Sequence, residues 1–206
     1  MTRLQSLVLL VVFVAPSWSQ DQGQSSSSPS KPSARATASL PEPGAIHDGV
    51  YRNTAFGFSY KLPFGWVDRT ADMQDDSAAA SKSRVLLATF ERPPEATGDT
   101  VNSAVVIAAE PLFAGMKTVD EYFASLNALT TAKGFQTDGE PYEFSAGATK
   151  LARGDFSKAR GTLTVRQTSL VMLQKGYAVS FTFIGGSADE VNELIEKLSF
   201  APRKPH

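Results

Sequence analysis

Glu91 and Glu110 flank a presumed hairpin of two apolar, strand-forming stretches. A pair of carboxylates flanking a cleft is what acid/base hydrolysis requires, one to give a proton and one to take it. One sequence does not fix their separation, so a carboxylate-only hydrolase stands as an alternative reading. Asp72, Asp75 and Asp76 offer hard oxygen ligands, but the run lacks the glycine and the bidentate glutamate of a calcium loop. It reads as a solvated acidic face or the start of a helix. His47 and His206 are the histidines, one where a linker ends and one at the last position, where no strand or helix is expected to aim them. A serine–histidine–aspartate triad and a histidine metal site are therefore not expected. Gly185-Gly186-Ser187 leads into a helix and could present amides to an anion, yet no P-loop lysine follows. A tight strand-to-helix turn accounts for it. No catalytic, cofactor or metal residue is assigned.

Lys150, Arg153, Lys158, Arg160 and Arg166 face a single acid, Asp155, within the same stretch. On a hairpin they could form a basic edge for an acidic partner protein. The plainer reading is that edge strands carry charge to prevent pairing with other chains. Tyr51, Phe56, Phe58, Tyr60, Phe64 and Trp66 could line a ligand pocket, but their alternating spacing favours a packed core.

The elements that would hold these residues follow from periodicity. Phe56, Phe58 and Tyr60 alternate with Gly57, Ser59 and Lys61, which predicts a strand over 56–62 after a short strand at 50–52. Residues 68–83 are rich in Asp, Ala and Ser and read as either a short helix or a loop. Strands are expected at 84–91 and 101–110. Thr118 and Glu121 have capping-box spacing, and Val119, Tyr122, Phe123, Leu126 and Leu129 share one helical face until Gly134 stops it. Short strands are expected at 142–144 and 151–156, and a long one at 162–174. Lys175-Gly176 turns the chain into a return strand whose Tyr177, Val179, Phe181 and Phe183 point one way. A carrier of a small molecule or lipid would use that face as a cavity wall. Ser187 and Glu190 cap a last helix with Val191, Leu194, Ile195 and Leu198 on its stripe. Strands, helix, strands, helix around a mostly antiparallel sheet make an α+β sandwich.

Composition narrows the setting. Residues 1–19 read as a secretory signal: Arg3, then the apolar run 7–15, then small Ser17 and Ser19 before a cut at Gln20. The run is too short to span a bilayer, so no stable membrane span is expected after cleavage. Residues 20–46 read as a Ser/Pro-rich linker, 47–202 as one domain and 203–206 as a tail. The 206 residues contain no cysteine, which excludes disulfides, thiol nucleophiles and thiolate metal sites. None of Asn53, Asn102, Asn127 and Asn192 begins a glycosylation sequon. Both absences fit a bacterial exported protein of the periplasm or exterior. Without Arg3 the chain carries 19 basic and 21 acidic residues, a net of −2, which argues against a general nucleic-acid or membrane-surface binder, since either would need a strong basic bias.

The run Tyr51-x-Asn53-x-x-Phe56-x-Phe58-x-Tyr60-x-x-Pro63-x-Gly65-Trp66 resembles the opening hairpin of PsbP-like domains. The helix from Thr118 to Phe123 and the ending Gly176–Phe183 followed by 187–200 resemble the same family, so the likeness covers roughly 49–202. It implies an α/β/α sandwich with a central, mostly antiparallel sheet. Members of that fold are mostly not enzymes; PsbP is an extrinsic subunit of photosystem II, and a distant relative binds the Ran GTPase. The matching residues are framework positions, so no functional residue carries over. The expectation is an exported, monomeric, non-enzymatic module that binds another envelope protein.

Overall fold

The computed structural model describes residues 41–77, 83–96, 98–112 and 115–201. The signal segment, nearly all of the Ser/Pro-rich stretch and the tail at 203–206 lie outside them, as does Pro202. The chain opens with β1 (Ala45–His47), β2 (Val50–Asn53), β3 (Phe58–Lys61) and β4 (Val67–Asp68). It continues through α1 (Thr70–Ser77), β5 (Arg84–Phe90), β6 (Ala104–Pro111) and α2 (Val119–Ala132). Then come β7 (Gln136–Thr137), β8 (Tyr142–Ala146), β9 (Thr149–Arg160), β10 (Leu163–Gln174) and β11 (Tyr177–Gly185). α3 (Ala188–Ile195) and β12 (Leu198–Phe200) end the fold.

All strand pairs are antiparallel, in two sheets. The large one runs β4-β5-β6-β11-β10-β9-β7, with β8 also on β9. The small one runs β1-β2-β3-β12. Register explains which residues meet. On β11 the side chains of Val179, Phe181 and Phe183 leave one face and pack with Tyr51, Phe58, Tyr60 and the α3 residues Val191, Leu194 and Ile195. On the opposite face Ala178 meets Tyr122 and Phe123 of α2, while Ile184 joins Val85, Ala104 and Met73 of α1. The large sheet is thus covered by α1 and α2 on one side and by α3 with the small sheet on the other. That is the α/β/α sandwich the sequence implied.

Several boundaries differ from expectation, each for a local reason. Ala45 and Ile46, assigned to the linker, pair with Arg52 and Tyr51 in β1. Gly44 anchors that approach: its N–H donates to the Tyr51 hydroxyl at 3.1 Å, and a Cβ there would lie 2.4 Å from Arg52 O. His47, expected outside any element, closes the same strand and is exposed. Phe56 is buried but precedes β3, because the Asn53 side chain accepts from its N–H at 2.9 Å and holds the chain in a turn. β9 runs for 12 residues where a short strand was expected. Gly154 and the basic side chains hide its alternation. Leu198 leaves the helical stripe and pairs with Tyr60 in β12.

Candidate functional site

The two glutamates do not form a site. In the β5–β6 hairpin Arg84 lies opposite Ala109 and Phe90 opposite Ala104, so Glu110 and Glu91 sit at opposite ends. Six strand residues separate them by roughly 20 Å. Paired acid/base work by these carboxylates is therefore excluded. Glu91 is exposed. Glu110 is buried under α2, where the Tyr122 hydroxyl donates to it at 2.7 Å. Burial pushes its carboxyl up to about 7, and the Tyr122 hydrogen bond offsets part of that rise. Asp72 pairs with Arg69 at 2.9 Å on an exposed face. The Asp75 and Asp76 side chains lie outside the described parts. No cluster of metal-ligating side chains occurs among the described residues.

Both helix N-termini with capping boxes in the sequence are closed by their own glutamates. Glu121 accepts from the Lys117 amide at 2.7 Å and the Thr118 amide at 3.1 Å, bonds that hold its carboxyl below the usual range. Glu190 accepts from the Gly186 amide at 2.8 Å and from the Ser103 hydroxyl. The Gly185-Gly186 turn is thus filled by a carboxylate where an anion would have had to sit.

The five basic residues divide between the two faces of the large sheet. Lys150, Lys158 and Arg160 share the α2 side by strand alternation, while Arg153 and Arg166 share the α3 side. Lys150 pairs with Glu143 at 2.9 Å and Arg166 with Asp138 at 2.6 Å. Lys158 donates to Lys133 O at 2.6 Å and lies over the Phe135 ring. Arg160 is exposed at the hairpin end. Arg153 is the organised member. It donates to both oxygens of Asp155, at 3.0 and 3.1 Å, and to Asn192 Oδ1 of α3 at 3.0 Å, and it covers the Tyr142 and Phe144 rings. Asp155 also accepts from the Tyr142 hydroxyl at 3.1 Å and the buried Thr168 hydroxyl at 2.5 Å. This network ties α3 to the β8–β9 edge.

Of the aromatic set, Tyr51, Phe56, Phe58 and Tyr60 are core residues. Trp66 is half-buried and Phe64 is fully exposed, at 105% of its reference area. The face that a carrier would need as a cavity wall is packed: Val179, Phe181 and Phe183 have no exposed area.

A groove of about 750 Å³, which no single residue pattern announced, opens among the described residues. It forms where the large sheet forks. β9 pairs with β10 only as far as Ala152 opposite Val171, so 149–151 and 172–174 diverge. The start of α2 stands at its mouth with Lys117 and Asp120, and Phe56 and Phe200 lie at its base. Gly161 has positive φ in the two-residue loop closing β9 on β10, which makes Arg160 and Leu163 a hydrogen-bonded pair. Counting by twos from that pair brings Lys150 and Leu173 to the next bonded position beyond Ala152 and Val171, which the ladder does not reach. Their peptide groups face the fork. The groove offers polar main chain and an apolar base rather than a nucleophile held by a base.

An antiparallel sheet with helices on one side, and a helix with a small sheet on the other, defines the PsbP-like fold. The cyanobacterial PsbP (CyanoP) from Synechocystis sp. PCC 6803 superposes with a TM-score of 0.50 at 11% identity, covering 79% of this chain and 99% of that one. LpqN of Mycobacterium tuberculosis, described as involved in cell envelope biogenesis, gives 0.40 at 13% identity over 78% of this chain and 87% of its own. A Pseudomonas aeruginosa protein of unknown function, a putative regulator, gives 0.38 at 12% identity over 76% and 97%. No family model matches the sequence, and no curated protein does.

Proposed function

We propose that this protein is an exported, non-enzymatic module that binds an extended segment of another envelope protein through the β9–β10 fork. The observation that carries the reading is the fork itself. It holds peptide N–H and C=O groups at Lys150 and Leu173 left over from the ladder, beside an apolar base, and added strands use that combination of main-chain bonds and side-chain pockets. The signal-like N-terminus supports action outside the cytoplasm. The dispersal of the carboxylates and the capped helix ends support binding over chemistry.

A photo-crosslinking residue at Gln174, on the groove wall, tests the reading in cells, with the same residue at Arg160 as control. A discrete adduct formed at Gln174 and absent at Arg160 is expected, and Leu173→Pro, which removes one donor, weakens it at least fivefold. Adducts that are equal at both positions or absent at Gln174 overturn it.

A further inference from the structure

The turn between β3 and β4 presents an arrangement that the core does not use. Pro63, Phe64, Gly65 and Trp66 form a reverse turn in which Trp66 N–H points back to Pro63 O at 3.5 Å and Gly65 takes φ +81°. Pro63 and a positive-φ glycine fix the backbone, so Phe64 stands at the tip of a preset turn. Scattered apolar residues on a surface are ordinary. Here the ring is exposed over its full area, whereas Ile46, Leu129 and Tyr142 are 39%, 40% and 48% exposed. The residues around the tip are less exposed or charged. Leu62, Pro63 and Trp66 form a half-buried shoulder. Lys61 and Lys197 follow, held side by side because Lys61 N–H donates to Lys197 O at 3.0 Å. One acid, Asp48, borders the same shallow depression.

A fully exposed ring beside a half-buried indole and two lysines offers the acyl, interfacial and phosphate contacts that a bilayer leaflet presents. A convex single ring needs no complementary socket in that setting. We propose that the 62–66 turn is a shallow lipid-contact wedge: Phe64 enters the acyl boundary of an anionic bilayer while Lys61 and Lys197 meet headgroup phosphates. The tip lies at the opposite end of β3 from the groove base at Phe56, so the wedge would leave the fork free. One ring and two lysines give a partition constant on the order of 10³ M⁻¹, below the ~10⁴ M⁻¹ of a single myristoyl chain, so the contact orients the domain rather than anchoring it.

Trp66 supplies a local reporter, since Trp18 is the other tryptophan and Trp18→Phe removes it. The full chain carrying Trp18→Phe is mixed with vesicles of three parts phosphatidylcholine to one part phosphatidylglycerol, with and without brominated acyl chains. Expected are a blue shift of Trp66 emission and quenching by shallow bromines. Phe64→Ser should reduce quenching at least fivefold with an unchanged melting temperature, and Phe64→Leu should retain most of it. Lys61→Gln with Lys197→Gln should bring quenching down to the level seen on pure phosphatidylcholine. Quenching that is equal in Phe64→Ser, or absent in the parent, overturns the proposal; absence in the parent would leave an apolar socket on a protein as the partner for Phe64. Because Trp66 reports only its own surroundings, binding by the apolar N-terminal run cannot mimic the signal.

Discussion

Glu110 loses most of its hydration beneath α2 and gains one hydrogen bond, from Tyr122. Desolvation lifts its carboxyl to about 7 from an ordinary value of 4.5. The folded state therefore holds a proton that the unfolded state releases between those two values. Stability falls as pH rises from 4.5 to 7, and the loss is complete above 7. At ~1.4 kcal/mol per pH unit it amounts to about 3 kcal/mol. Glu110→Gln is expected to remove that slope and to raise stability at pH 8, read by urea unfolding at a series of pH values. Tyr122→Phe deletes the bond that favours the anion, so the Glu110 titration should move further up in carbon-detected NMR. A Glu110 titration at an ordinary carboxylate value would refute both expectations.

α2 lies close to the sheet because Gly154 has no side chain. A Cβ there would come within 2.7 Å of the Phe123 ring, which is itself buried. Gly154→Ala is expected to cost about 1–3 kcal/mol in urea unfolding, with part recovered by adding Phe123→Leu. An unchanged midpoint would mean that α2 yields. The same helix shows what sequence can convey. Its capping box spans four consecutive residues, Thr118 to Glu121, and formed as read, because such contacts depend on nothing distant. The β10–β11 hairpin was legible for the same reason: Lys175 and Gly176 both take positive φ in a two-residue loop. β12 was not legible, since Leu198 follows Ile195 at helical spacing and only pairing with Tyr60 makes it a strand. The fork was also hidden. It exists because two strands stop pairing at Ala152 and Val171, and that is decided by long-range geometry. Phe64 was grouped with the core because it follows an alternating aromatic run. Pro63 ends the alternation and turns the ring outward.

The two sheets are joined through aromatic contacts, not backbone pairing. Phe181 of the large sheet meets Phe58 edge-on at 4.9 Å and Phe200 at 5.9 Å, both from the small one. Phe181→Ala is expected to cost about 3–5 kcal/mol. Because one core spans both layers, the parent should unfold in a single transition, with far-UV circular dichroism and Trp66 emission coinciding. Separate midpoints would mean that the small sheet is an independent unit.

The small sheet takes three strands from the beginning of the fold and one from its end, with Phe200 opposite Phe58 and Leu198 opposite Tyr60. A growing polypeptide therefore carries its first hairpin with one edge unsealed until the final strand emerges. Completion of the native state must wait for residue 200, so a nascent chain stalled before it should stay protease-sensitive, and one extended beyond the exit tunnel should not. Such late sealing leaves the β3 edge open for nearly the whole of the chain's synthesis.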